Sequence, residues 1–274
     1  VKEMFLTYEI PLTPILLTGS MKAKEKREAY AQIESGEADI IIYAGSLVNP
    51  ELLDEKKEGC EVFNSAKMTL EEVLTVMEEG DQKGCEIVRL HTGDPCVYGA
   101  IREQMDALDE KGIVYDYCPG VSSFCGAASA LNLEYTLPDI SQSVVITRMA
   151  GRTPVPEKES IESFAVHQAT MVIFLSTGML EELSRRLVAG GYQENTPAAI
   201  VYKATWADEE KYVCTVGSLA QTAREHGITK TALIIVGDVI LPQQYRRSDL
   251  YHPEFTTEFR EGRSQEASER ERTK

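Results

Sequence analysis

The segment CEIVRLHTGDPCVYGA, residues 85–100, places polar residues between a strand-like run and a helix-like run. Backbone N–H groups and the Asp94 carboxylate follow the strand, at the end where open α/β sheets bind ligands. Asp94 could accept hydrogen bonds from hydroxyl or amino groups of a ligand. The alternative is that Asp94 only caps a helix and His91 is an ordinary strand residue, because Gly-Asp-Pro alone is a weak motif.

A second loop, CPGVSSFCGAASALN at residues 118–132, has a Pro-Gly turn and then serines that can cap a helix beginning near Phe124. Its glycines and alanines allow a backbone to approach a ligand closely. Tight packing of the helix against a sheet requires the same small residues, so both interpretations stay open.

Cationic side chains follow two further strand-like runs. TRMAGRTPVPE carries Arg148 and Arg152 in an irregular loop, and VYKATWADEEK has Lys203 near a strand end, with Trp206 beyond it. Arginine side chains bind carboxylates with two parallel hydrogen bonds, although Arg148 and Arg152 could also be solvated surface residues. Trp206 could pack over a ligand or belong to the rim or core.

The overall charge argues against polyanionic partners. The 274 residues include 28 Lys and Arg against 44 Asp and Glu, a formal net charge of −16. Such a chain repels phosphate backbones and anionic membrane surfaces, so we expect neither nucleic acid nor membrane as a partner. An anionic substrate would need arginines concentrated at its site.

The sequence contains no motif typical of a membrane protein, a metalloprotein or the common nucleotide-binding and hydrolase families. The longest apolar runs, ADIIIYAGSLV and ATMVIFLSTGML, are shorter than the roughly 18 residues of a membrane span, and no signal-peptide pattern is present, so a cytoplasmic location is expected. The six cysteines and four histidines show no metal-ligand spacing, so no metal site is expected. Walker, nucleophile-elbow, HExxH and G-x-G-x-x-G motifs are missing.

Short β-branched runs alternate with helical patterns after residue 37, which is typical of an α/β protein. The strand candidates are DIIIYA, CEIVRLH, IVYDYC, SVVITR, TMVIFLS, AAIVYKA and ALIIVGD. Helical spacing of apolar residues precedes Gly112 and again Gly190. We predict an N-terminal α/β domain at 1–117, a C-terminal α/β domain at 118–250 and a tail at 251–274 that is disordered at its end. Clefts between domains are common sites for small molecules.

Taken in order, these segments resemble the tetrapyrrole methylases, and within them the precorrin-4 and cobalt-precorrin-4 C-11 methyltransferases of cobalamin biosynthesis. The resemblance runs from about Ala38 to Gly262, and AGSLVNP, HTGDP and AGRTPVPE carry its specificity. It implies a homodimer of two-domain chains, each domain a mixed sheet flanked by helices, with the active site in the interdomain cleft. S-adenosylmethionine would methylate C-11 of a polycarboxylate tetrapyrrole, with or without cobalt.

The resemblance also implies site residues. Contacts to S-adenosylmethionine fall on Thr92, Gly93, Asp94, Val97, Ser122, Ser123, Ser176 and Ala199. Methyl transfer from a sulfonium requires alignment and exclusion of water more than a strong base. His91, Asp94 and Tyr98 are the candidate catalytic residues, with His91 and Tyr98 able to assist proton movement. Arg148, Arg152 and Lys203 are the candidates for binding the substrate's carboxylates, on the chemistry of their side chains more than on the resemblance.

The N-terminus departs from the family pattern. The family has a Gly-x-Gly-Pro-Gly-Asp loop after its first strand, whereas this chain has FLTYEIPLTPILLTGS there. Side chains in place of glycines would crowd a cofactor site. Two alternatives therefore stand beside the active enzyme: a catalytically impaired tetrapyrrole-binding homologue, and a methylase that acts on RNA or on a protein side chain.

Overall fold

The computed structural model describes residues 38–54 and 56–262. The N-terminal segment that departs from the family pattern and the predicted disorder at the end of the tail lie outside these residues. The chain forms two compact units, residues 38–129 with Ala204–Asp208, and residues 130–203 with 209–262. The predicted domain boundary between residues 117 and 118 stays a prediction; the units divide at residues 129 and 130.

The first unit contains three described strands, β1 (Ile40–Tyr43), β2 (Glu61–Asn64) and β3 (Ile87–Leu90). They form a sheet in the order β2-β1-β3, and both pairings are parallel. All described strands of this unit thus run in the same direction. The β-branched run of β1 fits a central strand, because side chains there are covered on both faces.

Three helices accompany this sheet: α1 (Leu70–Gln82), α2 (Arg102–Lys111) and α3 (Ser123–Leu131). Thr69 starts α1 with a capping box, in which its hydroxyl accepts from Glu72 N–H and the Glu72 carboxylate accepts from Thr69 N–H. A stripe of buried residues on α1, including Val73 and Met77, packs with Ile40 and Ile42 of the sheet.

Two local predictions in this unit are wrong. Residues 113–118, IVYDYC, form no strand among the described residues, although the run is β-branched. Val114 is 93% exposed, while Ile113 and Tyr115 pack against the core, so only part of the segment is covered. The helix expected before Gly112 is α2, which begins at Arg102 and so excludes Val97 of the same helical pattern; its predicted end is confirmed, because Gly112 adopts the left-handed conformation with φ 69°.

The second unit is built on a mixed five-stranded sheet in the order β4-β5-β8-β6-β7. The strands are β4 (Val144–Arg148), β5 (Thr170–Phe174), β6 (Pro197–Tyr202), β7 (Glu210–Thr215) and β8 (Ala232–Val236). β4 and β5 are parallel, and the other pairings are antiparallel. A mixed sheet is the architecture that the sequence predicts for this unit.

Helices α4 (Ile161–Ala165), α5 (Leu180–Ala189) and α6 (Leu219–Glu225) cover the second sheet. Leu183, Leu187 and Leu219 are fully buried with Met171 and Ile200 in its core. The leucine spacing before Gly190 thus marks the buried face of α5, as predicted. β2 and β7 are the two strands that the apolar runs did not reveal, because polar residues interrupt both.

No helix in the described part of the chain combines the length and the apolar character needed to cross a membrane.

Candidate active site

Two loops of the first unit meet beyond the end of β3. One follows the strand at residues 92–98, and the other precedes α3 at residues 117–122. A Cβ on Gly120 would lie 2.0 Å from the Gly93 carbonyl oxygen, and a Cβ on Gly93 would lie 3.1 Å from the Ser123 nitrogen. Gly93 also has φ 63°. Both glycines are therefore required for the backbones to approach this closely.

This contact brings together several residues that the sequence pointed to separately. Gly93 lies against Ser122 and Ser123, and a Cβ on Gly93 would lie only 3.2 Å from the Ser122 Cα. Ser122 is buried, whereas Thr92 and Gly93 are exposed. The Thr92-Gly93 turn and the N-terminus of α3 thus form one surface of small residues and backbone groups.

The Asp94 carboxylate ties the two loops together. Oδ1 accepts from the Cys96 N–H at 2.9 Å and from the Tyr117 hydroxyl, and Oδ2 accepts from the Gly120 N–H at 2.9 Å. The Cys96 N–H also reaches the Tyr117 oxygen at 3.2 Å. Asp94 does not cap α2, which begins eight residues later. The alternative of a simple helix cap is therefore wrong.

These hydrogen bonds set the charge state of Asp94. Partial burial raises the pKa of the carboxyl, but donation from Cys96, Tyr117 and Gly120 outweighs it and lowers the pKa of Asp94 to about 2. Burial and the Asp94 carboxylate raise the pKa of Tyr117. Asp94 is accordingly a permanent anion at neutral pH and a weak base, suited to fixing loops and to accepting hydrogen bonds.

Tyr117 is a site residue that the sequence did not reveal. It lies 23 positions after Asp94, in a segment whose apolar pattern predicted a strand. The residue is 42% exposed, so burial alone does not distinguish it. A tyrosine placed two residues before the Pro-Gly turn was the available signal, because a buried or half-buried hydroxyl usually has a partner.

The residues after Asp94 form a compact turn. Val97 N–H donates to the Asp94 carbonyl at 3.3 Å, and two non-glycine residues adopt positive φ, Tyr98 at 59° and Ala100 at 48°. Such conformations persist only where surrounding contacts hold them, and they concentrate at functional sites. Tyr98 is exposed, as a residue that contacts a ligand must be.

His91 stands at the end of β3 with an unusual environment. Its Nε2 atom is buried without a hydrogen-bond partner among residues 38–54 and 56–262. Burial, with the nearby Arg89 charge, lowers the pKa of His91 to about 4. The imidazole is therefore neutral at physiological pH and keeps one nitrogen able to accept a proton.

Arg89 organises the sheet edge below His91. Its guanidinium donates to the Ile42 carbonyl at 3.0 Å, to Gln104 Oε1 at 3.0 Å and to Ser65 Oγ at 3.1 Å. Gln104 in turn donates to the Ala100 carbonyl at 2.7 Å. The network links β1, β3 and α2 to the turn that carries Tyr98, so that turn rests on the sheet.

Two of the predicted cofactor contacts, Ser176 and Ala199, belong to the second unit. Ser176 and Ala199 are fully buried, and Ala199 lies in the centre of β6, opposite Val213 and Ile235. Ser176 Oγ accepts from Met149 N–H at 2.9 Å and donates to the Phe174 carbonyl at 2.7 Å. Their contacts to a cofactor stay predictions, and the Ser176 hydroxyl is used inside the unit.

The three predicted substrate cations differ in their surroundings. Arg148 donates to the carbonyls of Met149, Thr153 and Pro154. Arg152 is exposed. Lys203 has φ 44°, its N–H donates to the Thr231 carbonyl at 2.9 Å, and its ammonium lies 5.1 Å from the ring centre of Tyr202.

The family follows from comparison with known proteins. The chain belongs to the tetrapyrrole (corrin/porphyrin) methylases, whose family model matches residues 27–220. The cobalt-precorrin-4 C(11)-methyltransferase of Methanocaldococcus jannaschii is 50% identical over 82% of this chain and 86% of its own. The precorrin-4 C(11)-methyltransferase of Pseudomonas aeruginosa is 37% identical over 81% of this chain and 88% of its own.

Solved structures agree with this assignment. The X-ray structure of a cobalt precorrin-4 methyltransferase superposes with a TM-score of 0.74 at 40% identity, covering 78% of this chain and 89% of that one. A uroporphyrin-III C-methyltransferase from Thermus thermophilus gives a TM-score of 0.60 at 26% identity over 80% of this chain and 89% of its own. The α/β methylase fold predicted from the sequence is confirmed.

Proposed function

We propose that this chain transfers a methyl group from S-adenosylmethionine to C-11 of cobalt-precorrin-4 or precorrin-4 in cobalamin biosynthesis. The observation that carries the proposal is 50% identity to a cobalt-precorrin-4 C(11)-methyltransferase over 82% of the chain. The joined loops at Gly93 and Gly120 support it, because they form a surface of small residues and fixed backbone groups of the kind that methyl transfer requires.

The residues of the first unit fit a methyl donor. S-adenosylmethionine, when bound, supplies an electrophilic methyl group on a sulfonium. Thr92, Gly93, Asp94, Val97, Ser122 and Ser123 would hold it. The Asp94 anion can accept hydrogen bonds from ribose or amino groups through lone pairs that its loop partners leave open. Ser176 and Ala199 of the second unit stay in the proposal as contacts through their backbone or neighbours.

The proton chemistry of the proposal rests on His91 and Tyr98. The His91 imidazole is neutral at physiological pH, and with a pKa of about 4 it is a stronger base than Asp94, whose pKa is about 2; its Nε2 has no partner among the described residues. Tyr98 is held exposed by its positive-φ turn, where its hydroxyl can contact a substrate. We therefore place proton acceptance on His91, and a hydrogen bond to the substrate on Tyr98.

The substrate proposal follows from charge. A chain with net charge −16 repels a polycarboxylate tetrapyrrole, unless cationic side chains at the binding site offset the repulsion. Arg152 and Lys203 are the candidates whose charged groups would meet its carboxylates directly. Any cobalt belongs to the substrate. The proposal further includes a homodimer located in the cytoplasm, which light scattering and fractionation would check.

The direct test is methyl transfer by the purified chain. We expect the mass of cobalt-precorrin-4 or precorrin-4 to increase by one methyl group, with formation of S-adenosylhomocysteine. A comparison of the two substrates at equal concentration decides between the cobalt-containing and the metal-free form. No transfer to either substrate would refute the proposed function.

Calorimetry separates the impaired-homologue alternative from the active enzyme. Micromolar binding of S-adenosylhomocysteine means that the unusual N-terminal sequence is compatible with the cofactor site. A folded chain that binds tetrapyrrole without binding S-adenosylhomocysteine would instead support the impaired homologue. Tight binding of RNA at physiological salt would favour the third alternative, which the net charge opposes.

A further inference from the structure

The loop at residues 149–154, MAGRTP, is held at both ends by side chains that the sequence predicted to bind ligands. We call it the arginine loop. β4 and β5 are parallel, with Arg148 opposite Phe174, so both strands end at the same edge of the sheet. The arginine loop follows β4 there, and Leu175 and Ser176 follow β5.

Ser176 fixes the beginning of the arginine loop. Its side chain has 0% exposure, its Oγ accepts from Met149 N–H at 2.9 Å, and its own proton goes to the Phe174 carbonyl at 2.7 Å. A hydroxyl has one proton to donate, and this one is already used. The Ser176 hydroxyl therefore acts within the protein, on the loop.

Arg148 fixes the end of the arginine loop. Nη1 donates to the Met149 and Thr153 carbonyls, both at 3.2 Å, and Nη2 donates to the Pro154 carbonyl at 2.9 Å. Gly151 N–H closes the loop further by donating to the Thr153 carbonyl at 3.3 Å. Three carbonyls on one guanidinium take up much of its hydrogen-bonding capacity, which a substrate carboxylate would otherwise use.

Arg152 is the residue of the arginine loop that is left exposed to solvent. It lies between the two fixed ends, is exposed, and makes no hydrogen bond or ion pair with the described part of the chain. A guanidinium recognises a carboxylate best with both donors of its planar fork, and this requires a defined approach direction. A loop fixed before binding avoids the entropy cost of ordering on binding.

We propose that Arg152 is the specificity-determining residue for a carboxylate side chain of the tetrapyrrole, and that Arg148 and Ser176 are positioning residues that preorganise its loop. This inference rests on the proposed function for its substrate. It reassigns Arg148 from substrate binding, and the Ser176 hydroxyl from cofactor binding, to support of Arg152.

The test compares Ser176→Ala, Arg148→Lys and Arg152→Gln with two matched controls. Ser184→Ala removes a buried hydroxyl that has no partner among the described residues, and Arg185→Gln removes an exposed cation of the same unit. In the free enzyme, amide exchange at Met149 and Gly151 should rise about tenfold in S176A and R148K and stay unchanged in R152Q and the controls.

Steady-state kinetics supply the second measurement. We expect KM for the tetrapyrrole to rise about tenfold in R152Q and about fivefold in S176A and R148K, with kcat changed less than twofold and the Kd of S-adenosylhomocysteine unchanged. Weaker binding of S-adenosylhomocysteine by S176A, with KM unchanged, would overturn the role given to Ser176. Unchanged exchange in R148K would overturn the role given to Arg148.

Failure of the proposed function is distinguishable from failure of this inference. If the wild-type chain transfers no methyl group, exchange still tests the loop, and fluorescence titration with uroporphyrin, a stable polycarboxylate tetrapyrrole, tests Arg152. Weaker uroporphyrin binding by R152Q than by R185Q supports the inference. Equal binding by wild type and R152Q overturns it.

Discussion

Replacing Tyr117 with phenylalanine tests the link between the two loops of the first unit. The change removes the hydroxyl that donates to Asp94 Oδ1 and accepts from Cys96 N–H at 3.2 Å, and it keeps the ring. Hydrogen bonds to charged groups contribute about 1.5–3 kcal/mol when shielded. Because Tyr117 is 42% exposed, solvent screening reduces this contribution to about 1 kcal/mol.

Two results should follow from Tyr117→Phe. The free energy of unfolding should fall by about 1 kcal/mol at pH 7, and the Kd of S-adenosylhomocysteine should rise about fivefold, since 1.4 kcal/mol corresponds to about tenfold. Asp94 keeps the N–H donors of Cys96 and Gly120, both at 2.9 Å, so the loops should remain in place. Urea unfolding and calorimetry measure the two quantities.

The pH dependence supplies a further measure of the same variant. Asp94 has a folded-state pKa of about 2, below its ordinary value of 3.8, so its stabilising contribution is complete above about pH 5 and disappears as the pH falls through 2. In Tyr117→Phe the pKa of Asp94 should move upward, and this loss of stability should begin at higher pH. Carboxyl-carbon NMR titration reports the pKa of Asp94 directly.

The control for Tyr117→Phe is Tyr251→Phe, because Tyr251 is 83% exposed and its hydroxyl has no partner among the residues that the structure describes. Equal stability and equal cofactor affinity in the two variants would refute the role given to Tyr117.

Three further changes test other parts of the site and its support. Gly93→Ala places a Cβ 3.1 Å from Ser123 N at φ 63°. We expect the free energy of unfolding to fall by about 1–3 kcal/mol and the binding of S-adenosylhomocysteine to weaken. An unchanged Kd in calorimetry would contradict the close contact between the loops. Thr69→Ala removes the capping box of α1 and should lower stability by about 1 kcal/mol without changing kcat, which thermal unfolding and methyl transfer would check. His91 should stay neutral in an NMR titration until the pH approaches 4. Because its pKa lies below the ordinary 6.5, the free energy of unfolding should fall as the pH drops from 6.5 to 4. A titration midpoint near 6.5 would show that the imidazole is not buried as described.

Much of the fold was predictable because its core strands are continuous β-branched runs. Two strands are buried along nearly their whole length, Ile40–Tyr43 and Ala232–Val236. Such strands appear in the sequence as uninterrupted runs of apolar residues. Leucine spacing and a following glycine likewise located the end of α5. β7 was missed because an edge strand needs apolar residues on only one face.

The site was predictable only in part. The HTGDP and CPGVSS loops could be selected as motifs, and the structure joins them at Gly93 and Gly120. Hydrogen-bond partners distant in sequence could not be selected: Tyr117 reaches Asp94 across 23 residues, and Ser176 reaches Met149 across 27. The residue type predicted that Arg148 binds a carboxylate, but its guanidinium donates hydrogen bonds to backbone carbonyls of its own loop.

The central claim is methylation at one ring carbon, and isotope labelling tests it most directly. The purified chain is incubated in a single turnover with cobalt-precorrin-4 and S-adenosylmethionine carrying a ¹³C-labelled methyl group, and the product is examined by NMR. We predict one labelled methyl group, bonded to C-11. A product without the label, or with the label on another carbon, would contradict it.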